Sequence, residues 1–253
     1  MNDQQKIMEE KLYEKISKKL RKCEVPRKPI VEHVFTRKVL LTPRDIKITN
    51  YNRNLLACFN PGATLENGHL YVFPRTIFDY YNYVSSISFF KIEVEKVVNG
   101  SLEKPVSARV ILWPRNVWEF NGCEDARVYK SESKYLVLYT GYGFIEGVKK
   151  PVQGFTVLDE NLKAGRRGFF TISIDGEKFI PRAMKDSALI EVEGSRAWML
   201  TRPTIRDVDV CWRGLADLSA LTLDGETLEP VLFPEEWELK VGWSTNVVKL
   251  SSN

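Results

Sequence analysis

The chain has 253 residues, 43% hydrophobic and 28% charged, a balance that excludes a disordered polymer and suits one large or two small globular domains. Lys plus Arg number 37 and Asp plus Glu 33, for a net charge of +4, too mild for a dedicated nucleic-acid binder. Only two histidines (His33, His69) and four scattered cysteines (Cys23, Cys58, Cys123, Cys211) are present, with no C-x2-C pair, which argues against a His-rich metal enzyme and a zinc site. No apolar run reaches the roughly 18 residues of a membrane span. The polar start Met1-Asn2-Asp3-Gln4-Gln5 lacks a signal-peptide core. The expectation is a soluble, reduced, cytoplasmic protein with neither nucleic acid nor membrane as partner.

Residues 4–22 have helical periodicity: Ile7, Met8, Leu12, Ile16 and Leu20 fall three or four apart with Lys and Glu between them. The stripe predicts an amphipathic helix packed on the domain, ended by Pro26 and Pro29. Residues 1–30 therefore read as an N-terminal helical extension and 31–253 as a β domain. In that second part short β-rich runs alternate with Gly, Asn and Asp turns. They include Phe35–Leu41, His69–Phe73, Ser107–Leu112, Tyr135–Tyr139 and Ala197–Leu200, and the pattern predicts an all-β fold.

Three segments share one design. Asn60 opens a strand, Glu66-Asn67-Gly68 turns it, and a second strand runs to Arg75. Asp125 opens the next, with the turn Ser131-Glu132-Ser133 and a strand to Thr140. Asp186 opens the third, with Glu193-Gly194-Ser195 and a strand to Thr201. Each second strand ends 15 positions after its opening residue, and the openings lie 65 and 61 residues apart. The same step predicts a strand start near 246, where Thr245-Asn246-Val247-Val248-Lys249-Leu250 fits. A hairpin recurring about every 60 residues predicts a β-propeller with large blades. Ser251-Ser252-Asn253 stands where the fourth turn belongs. The expectation is a fragment of a longer chain whose last blade is missing, since an open propeller leaves a bare sheet edge.

In a propeller the inner strands surround one axis, so Asn60, Asp125, Asp186 and Thr245 are expected to ring one end of a central cavity. Glu124, Arg127 and Lys185 flank them. Carboxylates accept hydroxyl hydrogen bonds, and Arg or Lys grips phosphate or carboxylate, so the ring suits a polyhydroxylated or anionic ligand. A carboxylic acid of raised pKa can protonate a glycosidic oxygen. Trp113, Trp118, Tyr142 and Trp243 are candidate walls for sugar rings, although burial statistics favour a packing role for each. Asp125 alone also reads as a turn residue, and Glu124-Asp125-Arg127 as an ion-paired cluster.

The string Gly122-Cys123-Glu124-Asp125-Ala126-Arg127 resembles the G-x-E-D-P-R signature of glycoside hydrolase family 130. Asn60-Pro61-Gly62-Ala63 with the later Arg75 resembles that family's N-P-A strand and its following Tyr-Arg. Tyr139-Thr140-Gly141-Tyr142, Lys185-Asp186-Ser187-Ala188-Leu189, Met199-Leu200-Thr201-Arg202-Pro203, and Trp237-Glu238 through Gly242 with Asn246-Val247-Val248 resemble further family strings in the same order. The resemblance covers residues 55–250. It implies a five-bladed propeller acting on β-mannosides, usually as an inverting phosphorylase that releases mannose 1-phosphate and less often as an inverting hydrolase.

It further implies Asp125 as the general acid, its proton passing through the mannose 3-hydroxyl. Asn60, Arg75, Glu124 and Asp186 become substrate-binding residues. Lys185, Arg202 and Arg166 become the phosphate group, with Arg167 as the alternative to Arg166. The partners implied are a small carbohydrate and inorganic phosphate as co-substrate, without metal or organic cofactor, and the N-terminal helix suits homo-oligomer assembly. The sequence departs from the pattern at Ala126 in place of proline, at Phe73-Pro74 before Arg75, in the aromatic insertion Phe78–Tyr83, and in the missing blade. Lys185 and Arg202 favour phosphate over water as nucleophile. Ala126 and the missing blade favour a catalytically silent propeller that binds carbohydrate or protein. An inverting β-mannoside hydrolase is the remaining alternative.

Overall fold

The computed structural model describes residues 3–20, 27–30, 32, 40–243 and 245–249. The predicted helix is α1 (Asp3–Leu20), with Met8, Leu12 and Ile16 buried, an acidic first turn and a basic last turn that complement its dipole. Ile7 and Leu20, expected on the same stripe, are exposed. The buried face is a single row of residues four apart; Ile7 stands beside that row and Leu20 at its end. Lys15 on the same helix donates Nζ hydrogen bonds to the carbonyls of Gly225, Glu226 and Leu228 at 2.9, 2.8 and 3.1 Å, which ties α1 to a turn far along the chain.

The remainder is mostly β, built as three meanders. The first is β1 (Ile46–Ile48), β2 (Ala57–Glu66), β3 (His69–Ile77), β4 (Ser85–Glu93) and β5 (Val106–Leu112), with the short helix α2 (Val94–Val98) between the last two. β2 to β5 pair antiparallel in order, and β1 lies parallel to β5. The second is β6 (Gly122–Ser131), β7 (Lys134–Ile145), β8 (Val148–Leu158) and β9 (Ala164–Phe169), antiparallel throughout. Then come β10 (Thr171–Ile174), β11 (Glu177–Phe179), β12 (Met184–Glu193), β13 (Arg196–Ile205), β14 (Val208–Asp209), β15 (Cys211–Asp217), β16 (Thr222–Asp224) and β17 (Glu229–Leu232). In this third unit β12, β13 and β15 form the meander, β15 also pairs β16 and β17, and β10 runs parallel to β16.

One parallel bridge, Ser85 with Gly122, joins the first two meanders. A Cβ on Gly122 would lie 2.5 Å from the Ser85 Cβ, so only glycine allows this approach. The pairing thus gives a nine-stranded and an eight-stranded sheet, with three meanders rather than five closed blades among the described residues. The strands expected at 69–73, 107–112, 135–139 and 197–200 are β3, β5, β7 and β13. Of the run Phe35–Leu41, residues 35–39 lie outside the described residues, and Leu40 and Leu41 are in no strand. The strand expected at 245–250 is not formed over 245–249. A strand needs a partner ladder. Here the Asn246 amide instead bonds the backbones of two other strands, donating to Ala63 O (2.6 Å) and Val128 O (2.8 Å) and accepting from Val128 N (3.1 Å).

Two hydrophobic clusters hold the units together. Phe73, Ile87, Leu112, Cys123, Tyr135 and Tyr139 fill the space between the first two meanders. Met8, Leu12 and Ile16 of α1 join Leu138, Phe155, Phe170 and Trp212 between the second and third. Each such large apolar side chain stabilises the fold by roughly 1.5–3 kcal/mol through burial alone. No helix among the described residues is long and apolar enough to cross a membrane.

Candidate active site

The repeat seen in the sequence is a repeated backbone defect. β2, β6 and β12 each lose register with their partners near the start of the strand's polar motif: between Phe59 and Gly62, Glu124 and Arg127, and Lys185 and Ala188, β12 having a further shift between Leu189 and Glu191. The extra residue there is Asn60, Asp125 or Asp186, with φ of 47°, 52° and 55°. This left-handed region is costly for most residues and best tolerated by Asn, Asp and Gly. So the recurring residue type answers a local conformational demand, and the bulge turns each side chain out of the strand's normal alternation. Pro74, which has no N–H to give, sits on β3 opposite the first bulge, where no ladder pair forms.

The bulges of β2 and β6 adjoin. A Cβ on Gly62 would lie 2.4 Å from Ala126 O, so the strands come this close only because position 62 is glycine. Across the gap Asn60 Nδ2 donates to Asp125 Oδ1 at 3.0 Å. Arg75, on β3, reaches both acids: NH2 lies 2.8 Å from Glu124 Oε1, and NH1 lies 3.4 Å from Asp125 Oδ1. Its Nε donates to Ser85 Oγ at 2.9 Å, and the Ser85 hydroxyl donates to Glu124 Oε1 at 3.0 Å. The guanidinium carbon stands 4.9 Å from the Phe59 ring centre and 5.9 Å from that of Tyr83, which adds cation–π attraction. Asp125 Oδ2 has no partner among the described residues.

Burial raises the Glu124 pKa above its ordinary value, against the opposing pull of Arg75, the Ser85 hydrogen bond and Lys185. Arg127, the next residue beyond the bulge, is buried and donates to Ala126 O at 2.8 Å, with its Nε unpartnered. Burial lowers its pKa, and the charges of Asp125 and Asp186 offset part of that. It therefore stands in the field of both bulge carboxylates.

The third bulge is organised differently. Arg202 on β13 gives Nε and NH2 to Asp186 Oδ2 at 2.9 and 2.7 Å, and NH1 to Asp209 Oδ2 at 3.1 Å. Its side chain is only 5% exposed. Lys185 pairs in the ladder with Arg202 and acts on Glu124 through its charge, but makes no ion pair among the described residues. A Cβ on Gly242 would lie 2.9 Å from Asp186 Oδ2, so the chain beyond β17 crosses this site closely.

The structure thus brings Asn60, Arg75, Glu124 and Asp125 into direct contact, and Asp186 with Arg202 into a second pair linked to them by the charges of Arg127 and Lys185. Arg166 is not brought in: it is exposed on β9, three strands out from β6. Arg167 is spent on Glu119 (3.3 Å) and Trp113 O (2.7 Å). Ser85 and Asp209 complete the site without any sequence signal that marks them. Of the candidate aromatic walls, Trp118 stacks on Tyr139 at 5.9 Å as packing. Tyr142 carries Lys149 at 5.1 Å, and Trp243 Nε1 is buried without a partner. The thiols of Cys123 and Cys211 are buried, and burial pushes that of Cys211 up to about 12, so neither supplies a thiolate nucleophile.

The sequence profile of glycoside hydrolase family 130, described as beta-1,4-mannooligosaccharide phosphorylase, matches residues 24–253. No curated protein sequence gives a match. Among solved structures, the β-1,2-mannobiose phosphorylase of Listeria innocua is similar over 80% of this chain and 67% of its own, at 15% identity and a TM-score of 0.57. A candidate glycoside hydrolase from Parabacteroides distasonis is similar over 70% of this chain and 53% of its own, at 17% identity and a TM-score of 0.51. A thermostable family-43 glycoside hydrolase is similar over 71% and 57%, at 10% identity and a TM-score of 0.51. At such identities the likeness is one of fold, and this chain spans between half and two thirds of the length of these structures. With the motifs in family order and the profile covering nearly the whole sequence, the chain belongs to glycoside hydrolase family 130, the β-mannoside phosphorylase family.

Proposed function

We propose that this chain has a five-bladed propeller architecture and cleaves a β-mannoside with inorganic phosphate, inverting the anomeric centre. Asp125 gives its proton, through the mannose 3-hydroxyl, to the glycosidic oxygen as the C1–O bond breaks. Phosphate attacks C1 from the opposite face, and the products are mannose 1-phosphate and the free second sugar. Asn60 and Arg75 hold Asp125 by Oδ1, which leaves Oδ2 to face the substrate hydroxyl.

Lys185 carries this reading. A dianionic nucleophile beside carboxylates needs positive charge that is not already neutralised, and Lys185 is a cation at the site without an ion pair among the described residues. Arg127, buried with an unpartnered Nε, adds to it. An inverting hydrolase instead needs a second carboxylate free to activate water. Here Glu124 is closed onto Arg75 at 2.8 Å and Asp186 onto Arg202 at 2.7 Å.

The test is incubation with β-1,4-mannobiose, with and without phosphate. Mannose 1-phosphate is expected only with phosphate, at a rate at least about a hundredfold lower in Asp125→Asn and with a raised phosphate KM in Lys185→Ala. Free mannose formed equally without phosphate overturns the phosphorylase reading. One observation favours a second assignment of the acid: burial holds a proton on Glu124 to higher pH than usual. If Glu124 is the donor, Glu124→Gln loses turnover and Asp125→Asn keeps it.

A further inference from the structure

We infer that the notch between the outer strands β5 and β9 binds a phosphoryl group, that of a phosphate monoester or of free phosphate, away from the acid cluster. The notch has a volume of about 220 Å³ and is lined by Asn50, Arg109, Arg115, Asn161, Lys163 and Arg167 among others, with four cations and no carboxylate in its lining. Sites that enclose a drug-sized ligand run to roughly 300–1,000 Å³. The notch is smaller, so it suits a phosphoryl group whose remaining atoms stay in solvent. It is also remote from the bulges. β5 lies three strands out from β2, and β9 three out from β6, which at the usual strand spacing is roughly 14 Å.

Three of the four positive charges are not cancelled. Arg115 and Lys163 are exposed and make no ion pair among the described residues. Arg109 gives NH2 to Asn161 O at 2.6 Å, a carbonyl, so its guanidinium is oriented but keeps its full charge. Only Arg167 is neutralised, by Glu119 at 3.3 Å. Phosphate can meet arginine by two parallel N–H···O bonds and lysine as a point charge. Beside three cations a dianion gains more than a carboxylate does.

The backbone under these side chains is fixed on both sides. Asn50 Nδ2 donates to Val110 O at 2.9 Å, and Val110 N donates to Asn50 Oδ1 at 2.8 Å. Arg115 N donates to Glu119 Oε2 at 2.9 Å. Asp159 Oδ1 accepts from the backbone N of Asn161 and of Lys163 at 3.0 and 2.8 Å, which turns that oxygen onto its own loop. Binding therefore has to order little beyond the tips of Arg115 and Lys163.

The experiment is NMR titration of the isotope-labelled full chain with inorganic phosphate and with glucose 6-phosphate, against sodium acetate at matched ionic strength. The backbone amides of Arg109, Asn161 and Lys163 should shift saturably with both phosphates, and acetate should bind at least about tenfold more weakly. Arg115→Ala and Lys163→Ala should each weaken the phosphate response about fivefold. The double variant should abolish it, with the melting temperature of the free protein unchanged, since both side chains are exposed and unpaired. Lys185→Ala should leave the notch response intact, which separates this site from phosphate at the acid cluster. Tighter binding of glucose 6-phosphate than of phosphate assigns the notch to a monoester; equal or weaker binding assigns it to the free ion. The inference is overturned by shifts confined to amides around Lys185, by acetate binding as tightly as phosphate, by a double variant that binds as the parent does, or by loss of the notch response in Lys185→Ala.

Discussion

Arg75 is the side chain through which the candidate site is wired. It meets Glu124, Asp125, Ser85 and two aromatic rings, and its partners lie on three strands from two meanders. The Glu124 carboxyl that it holds is nonetheless pushed up by burial. For an acid whose folded value lies above its unfolded one, the native state binds more proton between the two values, so stability falls as pH rises through that window. The difference in unfolding free energy between parent and Glu124→Gln, measured by urea melts from pH 4 upward, should therefore change across the window and be flat on either side. A flat difference throughout would remove the burial account. At this scale Asn60, Arg75, Asp125 and Asp186 were legible because motif and repeat coincide on them. Ser85 and Asp209 were not: each works through one hydroxyl or carboxylate whose partner is fixed by strand register, and Ser85 lies 39 residues from the Glu124 it bonds.

The connection between β5 and β6 shows how one buried carboxylate can set a whole element. Glu119 is fully buried and accepts from Tyr139 Oη at 2.6 Å, from Arg167, and from the start of its own turn. Replacing it with Ala strands the Arg167 charge and the Tyr139 hydroxyl, and should cost about 3–5 kcal/mol in equilibrium unfolding. Glu119→Gln keeps most acceptors and should cost less. Equal losses for the two would mean that shape rather than charge holds the turn. None of this could be seen in the sequence, where Trp118 stood out as an aromatic and nothing marked Glu119 beside it. The hairpins themselves were legible, since turn residues and alternating burial mark them locally. Their common spacing reflects the shared bulge: Phe59 faces Arg75 and Glu124 faces Thr140 across identical counts. The third hairpin, with Lys185 facing Arg202, carries one more residue because of a second irregularity between Leu189 and Glu191. A count of letters gives the period but not the conformation that produces it.

Over the whole molecule, the helix and the sheets share their cores, with Leu12 and Ile16 as deeply buried as Trp212. The all-β character and the helix were readable from periodicity; the joining of two meanders by a single bridge at Ser85 and Gly122 was not, because it depends on a contact with no spacing rule. Asn246 has the same nature on a larger span. Its amide clasps the backbones of β2 and β6 from positions 183 and 118 residues away. Removing it as Asn246→Ala should leave the Val128 N–H open to hydrogen exchange while amides of the β7–β8 ladder keep their protection; unchanged Val128 protection would mean that the clasp contributes nothing. A ribosome makes the Asn60 strand long before its clasp, since Asn246 lies 183 residues beyond Ala63. The candidate site around Asp125 can therefore take its final shape only after Asn246 has emerged, so nascent protein would pass through a stage with formed hairpins and an unset candidate site, the slow non-local closure that long-range contacts impose on folding.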